Sequence, residues 1–236
     1  MNKAERTLKS LQSLDFFKNA GANSLMRIAR MLRPRTWPAG AAIFQRGDSG
    51  DGLIVLLEGA VRLSIDTPDG KQLTVRIAGP GEVFGEIALL DGGGRTADAR
   101  AIEDTKGYLL PHAAFTEALA ASSGLQLSVT QALCRRLRDT TEQLEMIALW
   151  PLESRLAKLL TVFARSRGVP EGKSGRRFEL KISQTELAAL IGASRPKVSA
   201  AFAELKRLGA VTLKGAACVC DMNALNKIAG EAVLAE

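Results

Sequence analysis

The chain has 236 residues, 46% hydrophobic and 24% charged, an ordinary globular composition for one or two domains. No apolar run approaches the roughly 18–20 residues of a membrane span, and the opening stretch MNKAERTLKSLQSLDFF lacks a signal peptide's apolar core and cleavage site, so a cytoplasmic protein with no membrane partner is expected. The net charge of +7 is uneven: residues 151–236 carry 14 Lys/Arg against 8 Asp/Glu, residues 1–150 carry 18 against 17, and the smaller part is therefore suited to meet a polyanion.

Residues 37–110 read as strands. VRLSI alternates Val61, Leu63 and Ile65 with polar partners, PDG at 68–70 is a turn signal, and LTVRI alternates Leu73, Val75 and Ile77. AAIFQRGDSGDGLIVLLEG adds two apolar stretches around a Gly/Asp-rich turn, and ADARAIEDTKGYLL supplies further strands. Short strands at close spacing predict a small antiparallel barrel or sandwich.

Residues 113–149 lack Pro and read as helix. Leu133, Leu137, Leu144 and Ile147, with Thr140 inserted, follow the 4-3-4-3 period of a coiled-coil seam, flanked by Arg135, Arg136, Arg138, Glu142 and Glu145. The alternative is an amphipathic helix lying on its own barrel; the flanking charges favour self-pairing into a homodimer. Trp150-Pro151 breaks this helix, and Pro151 opens the next. The expected organisation is a ligand-binding domain over 1–120, a dimerisation helix over 121–150 and a basic domain over 151–236.

Within the basic part, LESRLAKLLTVFARS reads as an amphipathic helix, GVPEGKSG as a loop and RRFELKIS as a short strand. Ser183 and Glu186 form a capping box at a helix start. Leu187, Ala188, Leu190 and Ile191 give that helix an apolar face, and Gly192 ends it. Ser194 can cap the next helix, which tolerates Pro196 in its first turn and buries Val198, Phe202, Leu205 and Leu208. AVTLKGAACVCD reads as a hairpin turning at Lys214-Gly215. Two short helices, a tight turn and a hairpin make a winged helix-turn-helix. Arg195, Lys197 and Ser199 lie on the exposed N-terminal end of the second helix, the end that enters the major groove in this motif. A purely structural helical hairpin is the rival; the local charge favours DNA.

No enzyme is expected. The single histidine, His112, is isolated, and Cys134, Cys218 and Cys220 have no metal-site spacing, so the cysteines read as inert core residues and no metal is expected.

FGEIALLDGGGRTADARA, residues 84–101, brings a carboxylate, a guanidinium, a hydroxyl and bare backbone close together. GEIALL can form a short helical turn with free N–H groups at Ile87 and Ala88. Arg95 can grip phosphate oxygens with its fork, and Thr96 adds a donor. Glu86 repels phosphate but accepts from a sugar hydroxyl, and the glycines at 92–94 let the loop turn. The set suits a buried sugar phosphate; the rival is a surface loop with a Glu86–Arg95 ion pair.

This segment resembles the phosphate-binding cassette of cyclic-nucleotide-binding domains. RPRTWPAGAAIFQRGDSGDGLIVLLEGAVRL resembles the strands before it, ALCRRLRDTTEQLEMIAL a dimerisation helix, and the terminal part a winged helix-turn-helix, all of the cAMP receptor protein/fumarate–nitrate regulator (Crp/Fnr) family. The resemblance spans roughly residues 8–225 and points to the cyclic-nucleotide-binding branch. It implies an α+β chain with an N-terminal jelly-roll barrel, a long dimerisation helix and a C-terminal winged helix-turn-helix. It implies that Gly85 and Glu86 match the cassette's Gly-Glu, whose acid binds the ribose 2′-hydroxyl. Arg95 then pairs with the cyclic phosphate, Thr96 stands beside it, and Thr140 and Thr141 read the purine, one from the opposite subunit. The ligand implied is cAMP or cGMP: the Thr-Thr pair favours cAMP, while an Arg-Thr cassette also occurs in cGMP-binding domains. The partners implied are palindromic double-stranded DNA, met by Ser183, Ser194, Arg195, Lys197 and Ser199, a second copy of the chain, and RNA polymerase. Pro196 and Ala200 replace a base-reading acid and a second base-reading arginine, so the operator is expected to differ from the familiar one. The cysteine cluster of the oxygen-sensing branch is absent.

Overall fold

The computed structural model describes residues 11–68, 72–180, 182–215 and 217–231. Positions 69 and 70 of the expected PDG turn, and Lys181 of the expected RRFELKIS strand, lie outside the described residues. The chain divides into two compact units, Met1–Asp66 with Thr74–Thr140, and Thr67–Leu73 with Thr141–Glu236.

Among the described residues, the first unit holds helix α1 (Ala22–Met31) and then eight strands: β1 (Arg33–Trp37), β2 (Ala42–Phe44), β3 (Gly52–Glu58), β4 (Val61–Asp66), β5 (Gln72–Ala78), β6 (Val83–Phe84), β7 (Asp98–Ala101) and β8 (Thr105–Pro111), with a short helix α2 (Ile87–Asp91) between β6 and β7. They form two four-stranded sheets, ordered β1-β8-β3-β6 and β2-β7-β4-β5, whose described pairings are antiparallel. This is the expected jelly roll, realised as two sheets. Ile54, Leu56, Val61, Ala78, Phe84, Ala99 and Leu109 fill the space between them. A second apolar cluster joins Phe16, Phe17, Leu25, Ile28, Leu53, Val55, Leu110 and Phe115 to the helices beside the sheets.

The predicted 113–149 helix is two helices, α3 (His112–Ala120) and α4 (Ser123–Leu149). Neither Pro nor Gly interrupts residues 121–122; the break is made by Ser122, whose Oγ accepts from Leu125 N at 3.2 Å and so competes with a continuing ladder. The inner face of α4 carries Leu125, Ser128, Val129 and Ala132, all buried.

The second unit comprises α5 (Leu152–Arg167), β9 (Val169–Glu171), β10 (Gly175–Glu179), α6 (Gln184–Ile191), α7 (Arg195–Arg207), β11 (Val211–Lys214), β12 (Ala217–Asp221) and α8 (Met222–Glu231). Its four strands order as β11-β12-β10-β9. The predicted GVPEGKSG loop contains β9, because Val169–Glu171 pairs with Gly175–Arg177 across a turn at Gly172. The buried stripe of α7 is Val198, Ala201, Phe202 and Leu205; Leu208, expected in it, is 47% exposed because the helix has ended at Arg207. Cys218 and Cys220 are buried as expected, but Cys134 is exposed on α4.

Candidate functional site

Three groups of residues stand out: the cassette, the outer stripe of α4 and the N-terminal end of α7.

The cassette is built around Arg95, a residue only 4% exposed. Its backbone is pinned first. Arg95 N donates to Asp48 O and Gly47 N donates to Arg95 O, both at 2.9 Å, which ties the β2–β3 turn to the residues before β7. The guanidinium then donates from Nη1 to Gly85 O at 2.6 Å and from Nη2 to Gly52 O at 2.7 Å and to Asp51 Oδ1 at 2.8 Å. It also lies over the Phe44 ring, 4.3 Å from the centroid. Burial pushes its pKa down and Asp51 pulls it back up, and an arginine stays charged throughout. Its Nε is buried with no hydrogen-bond partner among the described residues.

Gly85 explains why the cassette starts with glycine. Its φ of +82° disfavours a side chain, and a Cβ there would sit 2.5 Å from Arg95 Nη1. The chain then enters α2, with Leu89 N and Leu90 N both donating to Glu86 O at 3.1 Å. Ala88 is buried beneath this turn, whereas Ile87 is 38% exposed. Thr96 is exposed.

Glu86 is 2% exposed and does not pair with Arg95. Its partner is Arg136 on α4, whose Nη1 forms an ion pair with Glu86 Oε1 while Nη2 donates to Val83 O. The Glu86–Arg95 ion pair of the rival reading does not form; Glu86 pairs with Arg136 and Arg95 with Asp51. By spacing alone Arg136 is only a charge flanking the seam. A signal existed: a buried carboxylate needs a cation, and Arg136 lies one helical turn before Thr140. Thr140 Oγ1 donates back to Arg136 O at 2.8 Å. Thr140 and Thr141 are both exposed, and the division between the two compact units falls between them.

Of the expected seam, Leu137 and Leu144 are 68% and 65% exposed. Leu133 instead packs on the first unit's own core. Ile147 lies against the helix-turn-helix turn, its side-chain carbons 3.1–3.5 Å from where a Cβ of Gly192 would stand. Leu127, Thr130, Cys134, Leu137, Thr141, Leu144 and Ala148 are all exposed and repeat at alternate spacings of three and four. This stripe lies almost opposite the inner face of α4, and it contains Thr141 where the expected seam contained Thr140.

In the winged unit Ser183 closes the capping box: Glu186 N donates to Ser183 Oγ at 3.2 Å and Ser183 N to Glu186 Oε2 at 2.9 Å. Gly192 takes the left-handed conformation, φ +65°, that turns the chain into α7. Arg155 braces this turn, donating to Ile191 O at 3.1 Å and to Trp150 O at 3.0 Å. Ser194 holds the N-cap position without a side-chain cap, contrary to expectation; Pro196 in the first turn offers it no N–H. Ser194, Arg195, Lys197 and Ser199 are all exposed at this end of α7.

Known domains and proteins resemble the chain along this same plan. The model of the cyclic nucleotide-binding domain matches residues 34–122, and that of the Crp-like helix-turn-helix domain matches residues 154–228. The chain is 30% identical over 199 residues, 84% of its length and 88% of the relative's, to the CRP-like cAMP-activated global transcriptional regulator of Mycobacterium tuberculosis. It is 34% identical over 179 residues, 76% of its length and 79% of the relative's, to the cyclic AMP receptor protein of Thermus thermophilus. Among solved structures, a Thermus thermophilus transcriptional regulator of the CRP/FNR family matches with a TM-score of 0.68 at 28% identity, over 84% of this chain and 98% of that one. A ligand-binding jelly roll followed by a helix-turn-helix of this type defines a ligand-responsive transcription regulator. The chain belongs to the CRP/FNR family. No helix among the described residues is long and apolar enough to cross a membrane.

Proposed function

We propose that this chain is a cytoplasmic, homodimeric regulator in which cAMP or cGMP, bound in the N-terminal sandwich, controls the binding of a palindromic operator by the winged domain. The observation that carries the ligand reading is Arg95: a buried guanidinium with an orphaned Nε, walled by a glycine that leaves no room for a side chain. Nε and Nη2 form one edge of the fork, and a cyclic phosphate would take that edge. Asp51, 74% exposed on its side chain, is the contact a phosphate would displace. A ribose hydroxyl fits the Glu86–Arg136 pair, donating to the carboxylate and accepting from the guanidinium. Arg136 is on α4, so a ligand that rearranges this pair acts directly on the helix that carries the exposed stripe. That gives a two-state element on which a ligand can exert differential affinity.

The same reading makes α4 the dimer contact through Leu127, Leu137 and Leu144, with Thr140 and Thr141 at the purine. Arg195, Lys197 and Ser199 meet DNA, Ser194 stands at the phosphate-facing start of α7, and Ser183 holds the preceding helix. RNA polymerase is the further partner this family implies. A regulator that keeps the sandwich as a scaffold is favoured by one observation: Glu86 and both Nη atoms of Arg95 already have protein partners. Titration calorimetry with cAMP and cGMP decides between the two. Binding of either nucleotide, together with nucleotide-dependent retention of operator DNA, is expected; DNA binding that ignores both nucleotides at millimolar concentration would establish the scaffold.

A further inference from the structure

Cys218 and Cys220 stand two residues apart on β12, an inner strand of the winged unit's sheet. Ala217–Asp221 pairs in unbroken register with Gly175–Glu179 of β10 on one side, and residues 217–220 pair with Val211–Lys214 of β11 on the other. Alternate residues of a strand share a face, so both thiols enter the same apolar cluster, and both are 0% exposed. Their sulfurs are 3.6 Å apart. A hydrogen bond from Cys220, helped by Lys206 on α7, holds the Cys218 thiol below its usual range, while the same contact and burial push Cys220 up. Met222 packs against this cluster and brings its one further sulfur. Arg176 stands directly opposite Cys220 on β10, on the same face, and its Nε is buried with no hydrogen-bond partner among the described residues.

Two close thiols can close a disulfide or share a metal ion, and the strand decides between them. A disulfide needs Cβ atoms about 3.5–4.5 Å apart. Alternate residues of an extended strand are separated by roughly 6.6 Å, twice the rise of about 3.3 Å, and β12 is held extended by ladders on both edges. Closing a disulfide would break those ladders. An ion asks for less: with metal–sulfur bonds of about 2.3 Å, sulfurs 3.6 Å apart subtend about 100° at a shared centre, which small side-chain rotations can open. The donor set then selects the ion. No group of three His, Cys, Asp or Glu that could hold a metal occurs among the described residues, so the four-ligand demands of structural zinc and iron–sulfur clusters are not met. Sulfur donors in an apolar shell suit a soft ion, and thiolate with thioether selects Cu(I). We propose that Cys218 and Cys220 form a site for a soft monovalent ion of the Cu(I) class inside the winged unit. Binding replaces two S–H protons, released to water, by two metal–sulfur bonds, and no electron changes hands. The loaded pair carries one net negative charge, which burial penalises and which Lys206 and Arg176 offset. Val198, Phe202 and Leu205 of α7 share the cluster, so the ion bears on that helix by a route separate from the nucleotide cassette.

The test uses the full-length Cys134→Ser protein, which lacks the exposed thiol and keeps only these two cysteines. Reduced and under nitrogen, it is titrated with Cu(I) buffered by a competing chelator, and with Ag(I) as a redox-inert probe. One ion per chain is expected, with two protons released and the far-ultraviolet circular dichroism unchanged. Free ion at a hundredfold over Kd should raise the melting temperature by roughly 5–10 °C. Zn(II), short of its further ligands, should give no such shift. Cys218→Val and Cys220→Val keep the core filled and apolar, and each should abolish the shift. The stoichiometry on the Cys134→Ser protein stands even where a valine variant fails to fold. Four results each overturn the site: no ion bound, a shift that survives in both valine variants, loss of the dichroism signal on loading, which would mean that unfolding exposes the thiols, or an intrachain disulfide formed by mild oxidation of the folded protein. An equal shift with Zn(II) overturns the choice of ion.

Discussion

Arg95→Ala should damage the protein twice, and the two effects can be separated. The substitution removes donors to Gly85 O, Gly52 O and Asp51, along with the stacking on Phe44. The Asp51 contact is largely exposed and contributes little. The two carbonyl bonds to a charged donor contribute about 1.5–3 kcal/mol each, and relief from burying the guanidinium offsets part of that. A net loss of about 3 kcal/mol is expected, which lowers the melting temperature by roughly 6–12 °C for a chain of this size. Binding suffers separately. Truncating one partner of a buried charge pair costs about 2–5 kcal/mol, so nucleotide affinity should fall roughly 30- to 5,000-fold. Thermal melts with and without nucleotide read both quantities, since a ligand that binds only the folded state raises the melting temperature. Arg95→Lys should recover part of the stability and little of the binding, because an ammonium cannot present the fork. A variant that melts within about 2 °C of the parent and keeps its nucleotide affinity would refute the placement of Arg95 at the centre of both roles.

The outer stripe of α4 makes two linked predictions. Leu137→Glu combined with Leu144→Glu places like charges across a dry seam and should yield monomers in light scattering; an unchanged dimer would move the contact elsewhere. Cys134 lies in the same exposed stripe, so in a parallel pairing it faces its own copy, and mild oxidation should produce a cross-linked dimer that Cys134→Ser abolishes. Arg195→Ala should relax the operator preference at one position and cost about 1–3 kcal/mol there, read by binding to a panel of operator variants. Equal weakening on every sequence would make Arg195 a phosphate contact.

The elements that local rules govern were legible in the sequence. The Ser183–Glu186 box, the Gly192 turn and the Lys214–Gly215 hairpin are each specified by neighbours within a few residues, and all three formed. The seam was legible only in part. Leu133 and Ile147 fit a heptad by spacing, but spacing cannot say which apolar residues are already claimed. The sandwich claims Leu133 and the helix-turn-helix turn claims Ile147. Once those are set aside, the exposed positions rotate by part of a turn, to the stripe that includes Cys134 and Thr141.

The cassette divides along the same line. The sequence placed Gly85, Glu86 and Arg95 together because one short segment carries them. Their partners, Asp51 and Arg136, come from 44 positions upstream of Arg95 and 50 downstream of Glu86, and only the fold brings them in. LTVRI made a similar demand on the reader. Its apolar residues alternate cleanly, and the usual inference buries them. Here Thr74 and Ala78 are buried, Ile77 is exposed and Leu73 and Val75 are only half-buried, so the face that Thr74 and Arg76 share turns inward. A sandwich that must hold a polar ligand cannot be lined wholly by apolar side chains, because every phosphate, hydroxyl and purine edge taken from water needs a partner inside. On β5 the inward parity brings the Arg76 guanidinium to Val83 O, three residues before Glu86.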